Sequence, residues 1–254
     1  MIVSGHQHLN VSSIDEHKRF FIDTLGGRSI TAGTSSIAGV RFPNVLILLR
    51  EQRPAGGTKG TTVNHVAFGV PDIRSIVATV KAAGYSMVTR AEVPPSLDVH
   101  DDLCYMADQQ THVAFTMAPD ATKVEFIEVV AQSVPIAFHH IHFAAPNVAD
   151  MKAWYVGELG AKPGKRGNFE AADLSGINLT YSAAATPVVG TRGRAIDHIG
   201  FEVNNLEGLC AKLEKRGIKL DRPFTRIASI NASTAFITDP WGTHIELTEG
   251  LTGS

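Results

Sequence analysis

A histidine-led segment recurs along this chain, and an internal repeat constrains a fold more tightly than composition can. His65-Val-Ala-Phe-Gly-Val-Pro-Asp72 aligns with His198-Ile-Gly-Phe-Glu-Val-Asn-Asn205, and the alignment continues without a gap. Ile73, Ile76, Val77 and Val80 fall on Leu206, Leu209, Cys210 and Leu213, and Gly84 falls on Gly217. Apolar residues at i, i+3, i+4 and i+7 form the buried stripe of an amphipathic helix. Asp72 and Asn205 suit its N-cap, and the two glycines suit its C-terminal stop. A second pair of segments sets His6-Gln-His8-Leu-Asn-Val against His140-Ile-His142-Phe-Ala-Ala, with Phe20-Phe21 on Trp154-Tyr155 and Leu25-Gly26 on Leu159-Gly160. A third sets Ala114-Phe115, Pro119 and Glu125 against Ala235-Phe236, Pro240 and Glu246. The first half carries an insertion between Arg90 and His112.

The four segments also resemble one another. Each opens on a histidine, continues as a short strand and reaches a capping residue: Ser13, Asp72, Asn147 or Asn205. We therefore expect an α+β fold of four βαβββ modules, over residues 1–55, 60–131, 136–185 and 194–250. Taken in chain order they make two tandem domains, 1–131 from modules 1 and 2 and 136–254 from modules 3 and 4. Gly/Pro-rich stretches at 53–60 and 186–193 read as connectors, since neither fits a phosphate-binding loop, and Gln132–Ala137 reads as the link between domains.

Composition narrows the classes. With 254 residues, 44% of them hydrophobic, the chain can bury a sizeable core and is not a disordered polymer. Lys and Arg number 23 against 25 Asp and Glu, so no basic excess exists to track phosphates and no nucleic-acid partner is expected. The longest aliphatic run, Val45 to Leu49, is too short to cross a bilayer, and the N-terminus shows no signal-peptide pattern. Cys104 and Cys210 cannot make a disulfide framework. These features predict a cytoplasmic protein without a membrane partner.

The unusual count is 11 histidines, four of which open the four modules at one register. A purely structural role would be filled as well by Val or Thr. With Glu125 and Glu246 on equivalent closing strands, each half carries two first-strand histidines and one carboxylate. Two neutral imidazoles and a carboxylate form a facial site for a divalent metal with open positions. With a 2+ ion its net charge is +1, which favours an anionic oxygen ligand.

On these residues the chain resembles the vicinal oxygen chelate superfamily of glyoxalase I, extradiol dioxygenases, epimerases and the bleomycin and fosfomycin resistance proteins. The His140 and His198 strands and the ending Asp239-Pro-Trp-Gly-Thr-His-Ile-Glu246-Leu carry the resemblance, which covers the whole chain. It implies that paired modules close into open, cup-shaped β-barrels with a metal inside. His140, His198 and Glu246 would be the ligands of a C-terminal cup, and His6, His65 and Glu125 those of a second, N-terminal one. The ending Ala118-Pro-Asp-Ala-Thr-Lys-Val-Glu125 departs from the family pattern by lacking the Asp-Pro order and the glycine.

Side chains at i and i+2 of a strand share a face. His142 therefore joins His140, His8 joins His6, and His244 joins Glu246; His142 and His244 are the candidate catalytic acid/base residues. His139 is expected on the opposite face, and Cys210 in the core.

Fold does not fix the reaction. A dioxygenase using Fe(II) is favoured because the closing strand of module 3, Gly176 to Ser182, offers no fourth carboxylate of the glyoxalase I kind. Against a standard catechol cleaver, Phe236 stands where the extradiol pattern has Tyr, and no histidine lies near Ile230-Asn231-Ala232. The alternative is a glyoxalase-type lyase, isomerase or epimerase working with Mn, Co, Ni or Zn. The third reading is a metal-free sequestering protein of the resistance type. The expected partner is a small molecule; the sequence leaves the assembly open, a homodimer being one possibility.

Overall fold

The computed structural model describes residues 1–31 and 38–251. Module 1 runs β1 (Ile2–Val11), α1 (Ile14–Lys18, continued by a π-helical turn Arg19–Thr24), β2 (Arg28–Thr31), β3 (Ala38–Phe42) and β4 (Val45–Glu51). Module 2 runs β5 (Val63–Val70), α2 (Ile73–Ala82), α3 (Thr89–Glu92), β6 (Val99–His100), β7 (Leu103–Met106), β8 (Thr111–Ala118) and β9 (Thr122–Glu128). Its insertion supplies α3 and β6. Module 3 holds β10 (Ala137–Ala145), α4 (Val148–Leu159), β11 (Lys162–Arg166), β12 (Phe169–Leu174) and β13 (Ile177–Ala183). Module 4 holds β14 (Ile196–Val203), α5 (Leu206–Lys215), β15 (Leu220–Ile227), β16 (Ala232–Thr238) and β17 (His244–Glu249).

The helices start where short polar side chains can satisfy orphan N–H groups. The side chains of Ser13, Asp72, Asn147 and Asn205 accept from the backbone N–H three residues on, at 3.3, 3.1, 3.2 and 3.1 Å. After α2 and α5 the chain turns at Gly84 and Gly217, whose φ values of +88° and +83° suit a residue without Cβ. The predicted stripes face inward: Ile73, Val77 and Val80 on α2, and Leu206, Cys210 and Leu213 on α5, are buried. No helix among the described residues is long and apolar enough to cross a membrane.

The strands make two sheets. One has the order β15-β16-β17-β14-β1-β4-β3-β2, the other β11-β12-β13-β10-β5-β9-β8-β7-β6. Each module keeps its strands together, but the modules do not pair in chain order. Module 1 joins module 4 through the antiparallel pair β1·β14, and module 2 joins module 3 through β5·β10. The expected boundary between 131 and 136 therefore falls between β9 and β10, which lie in one sheet on either side of β5. Residues 252–254 of the expected 136–254 domain lie outside the described residues. A repeat defines which segments are equivalent, and both pairings satisfy it equally. The join lengths differ, however: residues 129–136 between β9 and β10 form the shortest of the three, and the modules it connects share a sheet.

Candidate functional site

In the first sheet β1 and β14 run antiparallel, with His8 opposite His198 and His6 opposite Gly200. The His6 ring lies directly over Gly200, where any Cβ would run into it. Glu246 stands beside Gly200 on the parallel neighbour β17. Its Oε2 is 2.9 Å from His6 Nε2 and 3.1 Å from His198 Nε2, while Thr234 Oγ1 donates to its Oε1 at 2.6 Å. Ligand atoms about 2.1 Å from an ion and at right angles lie about 3.0 Å apart, so this spacing fits one face of an octahedron. We call His6, His198 and Glu246 the first site.

The second sheet repeats the plan. His142 is opposite His65, His140 is opposite Ala67, and Glu125 stands beside Ala67 on β9. Glu125 Oε2 lies 2.9 Å from His65 Nε2 and 3.0 Å from His140 Nε2. With His142 these residues form a buried second site.

All six residues expected as ligands thus gather with their own kind, but not in the expected sets. His140 was grouped with His198 and Glu246, and His6 with His65 and Glu125. The structure instead joins His6 to His198 and Glu246, and His140 to His65 and Glu125, because the first strands pair across modules 1·4 and 2·3. The candidate acid/base residues separate likewise. His142 belongs to the second site, with its ring stacked 4.5 Å from that of His65. His244 belongs to the first, 5.3 Å from His198 ring to ring, as does His8, the i+2 companion of His6, 4.4 Å from His198. His139 also departs from expectation. The β10 register slips between Phe138 and His140, and this bulge re-aims His139 so that its Nδ1 lies 2.9 Å from His140 Nδ1.

The fourth-ligand question moves with the pairing. The position equivalent to Glu246, beside the residue two past the first-strand histidine, is Leu48 in module 1, next to His8 on β4. In module 3 it is Thr180, next to His142 on β13. The first site is therefore completed by Leu48, not by the 176–182 strand, and neither position carries a carboxylate.

The two sites differ in what stands behind the histidines. His198 Nδ1 meets Asp197 Oδ1 at 2.7 Å, whereas His65 Nδ1 meets the Asn64 side-chain oxygen at 2.9 Å. Asp197 is held by the Gly193 N–H at 2.7 Å and the Asn10 amide at 3.0 Å. Burial works against the charged form of His198, yet the hydrogen bonds its ring donates to Asp197 and Glu246 prevail and raise its pKa. Burial lowers the pKa of His65 instead. It also drives His8 and His140 down to about 3, aided at His8 by the charge of His198 and at His140 by Arg166. Glu246 and Glu125 stay ionised, because their histidine contacts outweigh the cost of burial. At the edge of the first site Phe236 stacks on His244 at 5.1 Å and carries the Arg222 guanidinium 4.9 Å above its ring.

Two functional neighbours had no part in the sequence reading. Asp197 was findable: it precedes a repeated histidine and aligns with Asn64, an acid against an amide. Arg166 was not, since it lies on β11, outside every repeated motif. Its guanidinium reaches His140 Nε2 at 3.1 Å and Thr180 Oγ1 at 3.0 Å.

Residues 137–247 match the model of the Glyoxalase/Bleomycin resistance protein/Dioxygenase superfamily. No curated protein sequence matches the chain. Among solved structures, glyoxalase I from Zea mays is similar in fold at a TM-score of 0.75 and 16% identity, covering 98% of this chain and 93% of that one. A candidate dioxygenase from Bacillus subtilis is similar at a TM-score of 0.68 and 13% identity, covering 98% and 86%.

Proposed function

We propose that the chain is a metal-dependent enzyme of the glyoxalase, bleomycin resistance and dioxygenase superfamily, whose model residues 137–247 match, and that its chemistry is centred on the first site. In this reading His6, His198 and Glu246 hold a divalent metal, Fe(II) by preference, and the protein is a dioxygenase for a small substrate with two vicinal oxygens. The carrying observation is Leu48: three ligand atoms converge, and the register position that could add a fourth carboxylate is apolar. A two-histidine, one-carboxylate face leaves room for a chelating substrate and for O₂.

The metal would supply Lewis acidity toward the substrate oxygens and, as Fe(II), electrons to O₂. The remaining work falls to the chain. His8 is neutral near pH 7, and its Nε2 is buried without a partner, so it offers a ring nitrogen to hydrogen-bond and orient a substrate hydroxyl. His244 Nδ1, 3.6 Å from Asp197 Oδ1 and without a hydrogen bond, faces the same site. Arg222 over Phe236 offers positive charge to an anionic substrate at the edge of the site. Leu48 keeps the side beside His8 apolar.

A second reading, a lyase, isomerase or epimerase that moves a proton between adjacent carbons, is favoured by the two ring nitrogens beside the first site, His8 Nε2 and His244 Nδ1, that have no hydrogen-bond partner. Oxygen uptake separates the two. Consumption of O₂ with catechols or 2-oxo acids and added Fe(II) supports the dioxygenase. Solvent-proton exchange under nitrogen, supported by Mn, Co, Ni or Zn, selects the second reading.

The Asp197 contact yields a prediction that does not depend on the reaction. A carboxylate behind a ligating histidine fixes its tautomer and raises its basicity, and its loss costs roughly 10–100-fold in metal affinity. Asp197→Asn is expected to weaken metal binding by about that factor, read by competition with a chromophoric chelator; unchanged affinity would remove Asp197 from the account.

A further inference from the structure

We infer that Arg166 takes the place of the cation in the second site, so that each chain holds one divalent metal and not two. This rests on the reading of the first site as the metal centre.

The two sites share ligand types and spacing but not charge. Around the first site the fixed charges are Glu246 and, behind His198, Asp197. Around the second they are Glu125 and the Arg166 guanidinium, with the buried Lys123–Glu92 ion pair, 2.6 Å apart, beside them, and these four charges cancel. A 2+ ion entering the second site would lie near a positive charge that has no equivalent among the contacts of His6, His198 and Glu246 described above.

The hydrogen-bond chemistry points the same way. Arg166 Nη2 lies 3.1 Å from His140 Nε2, the same nitrogen that stands 3.0 Å from Glu125 Oε2, and a guanidinium can only donate, so in the tautomer that leaves Nε2 bare Arg166 takes its lone pair. A metal needs that lone pair. On its other side the His140 ring is closed by His139, Nδ1 to Nδ1 at 2.9 Å. Arg166 is also tied in place, by Thr180 Oγ1 at 3.0 Å from its Nε and by the Gln109 side-chain oxygen on Nη1. Thr180 occupies the register position at which modules 2 and 4 carry Glu125 and Glu246. Where a further acidic ligand would have drawn a metal, this module holds an arginine.

Equilibrium dialysis of the purified full chain against excess Mn(II), with bound metal counted by elemental analysis, tests the inference. The wild-type protein is expected to hold one equivalent, lost in Glu246→Gln and retained in Glu125→Gln. Arg166→Ala is expected to gain a second equivalent, and the double variant Arg166→Ala/Glu125→Gln to fall back to one. Should Arg166→Ala fail to fold, the wild-type count with the two glutamate variants decides alone. Two equivalents in the wild-type chain, one of them lost in Glu125→Gln, would overturn the role of Arg166. A single equivalent lost in Glu125→Gln and kept in Glu246→Gln, or none at all, would instead overturn the first-site reading.

Discussion

Glu246→Gln is expected to abolish turnover and empty the first site, whereas Glu125→Gln leaves both activity and metal in place. The two glutamates are equivalent in the repeat, equally placed on their strands and each within 3.1 Å of two imidazole nitrogens. Glu246 is the only anionic ligand of its triad, and Gln keeps its shape while removing the charge. The amide would also turn an N–H₂ toward nitrogens that must offer lone pairs to a cation. Metal assistance is worth several kcal/mol at the transition state, so losing it is expected to cost roughly a thousandfold in kcat/KM. The assay is turnover and metal content measured on the same preparations, with circular dichroism confirming that both variants fold. Equal losses in the two variants would mean that both sites work, and retention in Glu246→Gln would mean that the first does not.

The second large effect is on stability. Lowering the pH from about 6.5 to about 4 is expected to remove most of the stability of the metal-free protein. His8 and His140 are buried, and their pKa values fall from 6.5 to about 3 on folding. A group whose folded pKa is depressed binds its proton more readily in the unfolded chain. Its contribution is present above the unfolded value and is lost as the pH falls toward the folded one. Each contributes a slope that approaches about 1.4 kcal/mol per pH unit below 6.5, so the pair removes about 6 kcal/mol over this interval, a large share of the roughly 5–15 kcal/mol typical of a domain. His17, buried away from both sites, shifts in the same direction through burial. Glu125 and Glu246, held below their ordinary range, add to the loss below about pH 4.5. His198, with a raised pKa, runs the other way and loses its contribution as the pH rises through that value. Urea midpoints of chelator-treated protein at several pH values measure the slope. The chain with His8→Gln should show a shallower one. Stability that is level or rising between pH 6.5 and 4 would contradict the burial of neutral histidines.

How far the sequence could be read follows from what each signal encodes. The repeat specified local structure well, because capping and amphipathic spacing are properties of a short segment: Ser13, Asp72, Asn147 and Asn205 cap as expected, and Cys210 is buried. It also singled out the six residues that cluster. Their grouping depends on which first strands pair, a long-range choice that leaves no trace in the segments themselves. The short join at 129–136 was its one visible sign. Asp197 was legible as a charge difference from Asn64 at matched positions. Arg166 was not legible at all, because a side chain on β11 that reaches the β10 histidine through a tertiary contact has neither a period nor a motif. His139 illustrates the same limit on a smaller scale, since alternation along a strand holds only until a bulge interrupts it.

A divalent metal is expected between His6, His198 and Glu246. Anomalous diffraction from crystals grown with Mn(II), recorded on both sides of the manganese absorption edge, addresses it directly. One strong peak per chain is expected, within about 2.3 Å of His6 Nε2, His198 Nε2 and a Glu246 carboxylate oxygen. A peak beside His65, Glu125 and His140 with none at the first site would contradict it.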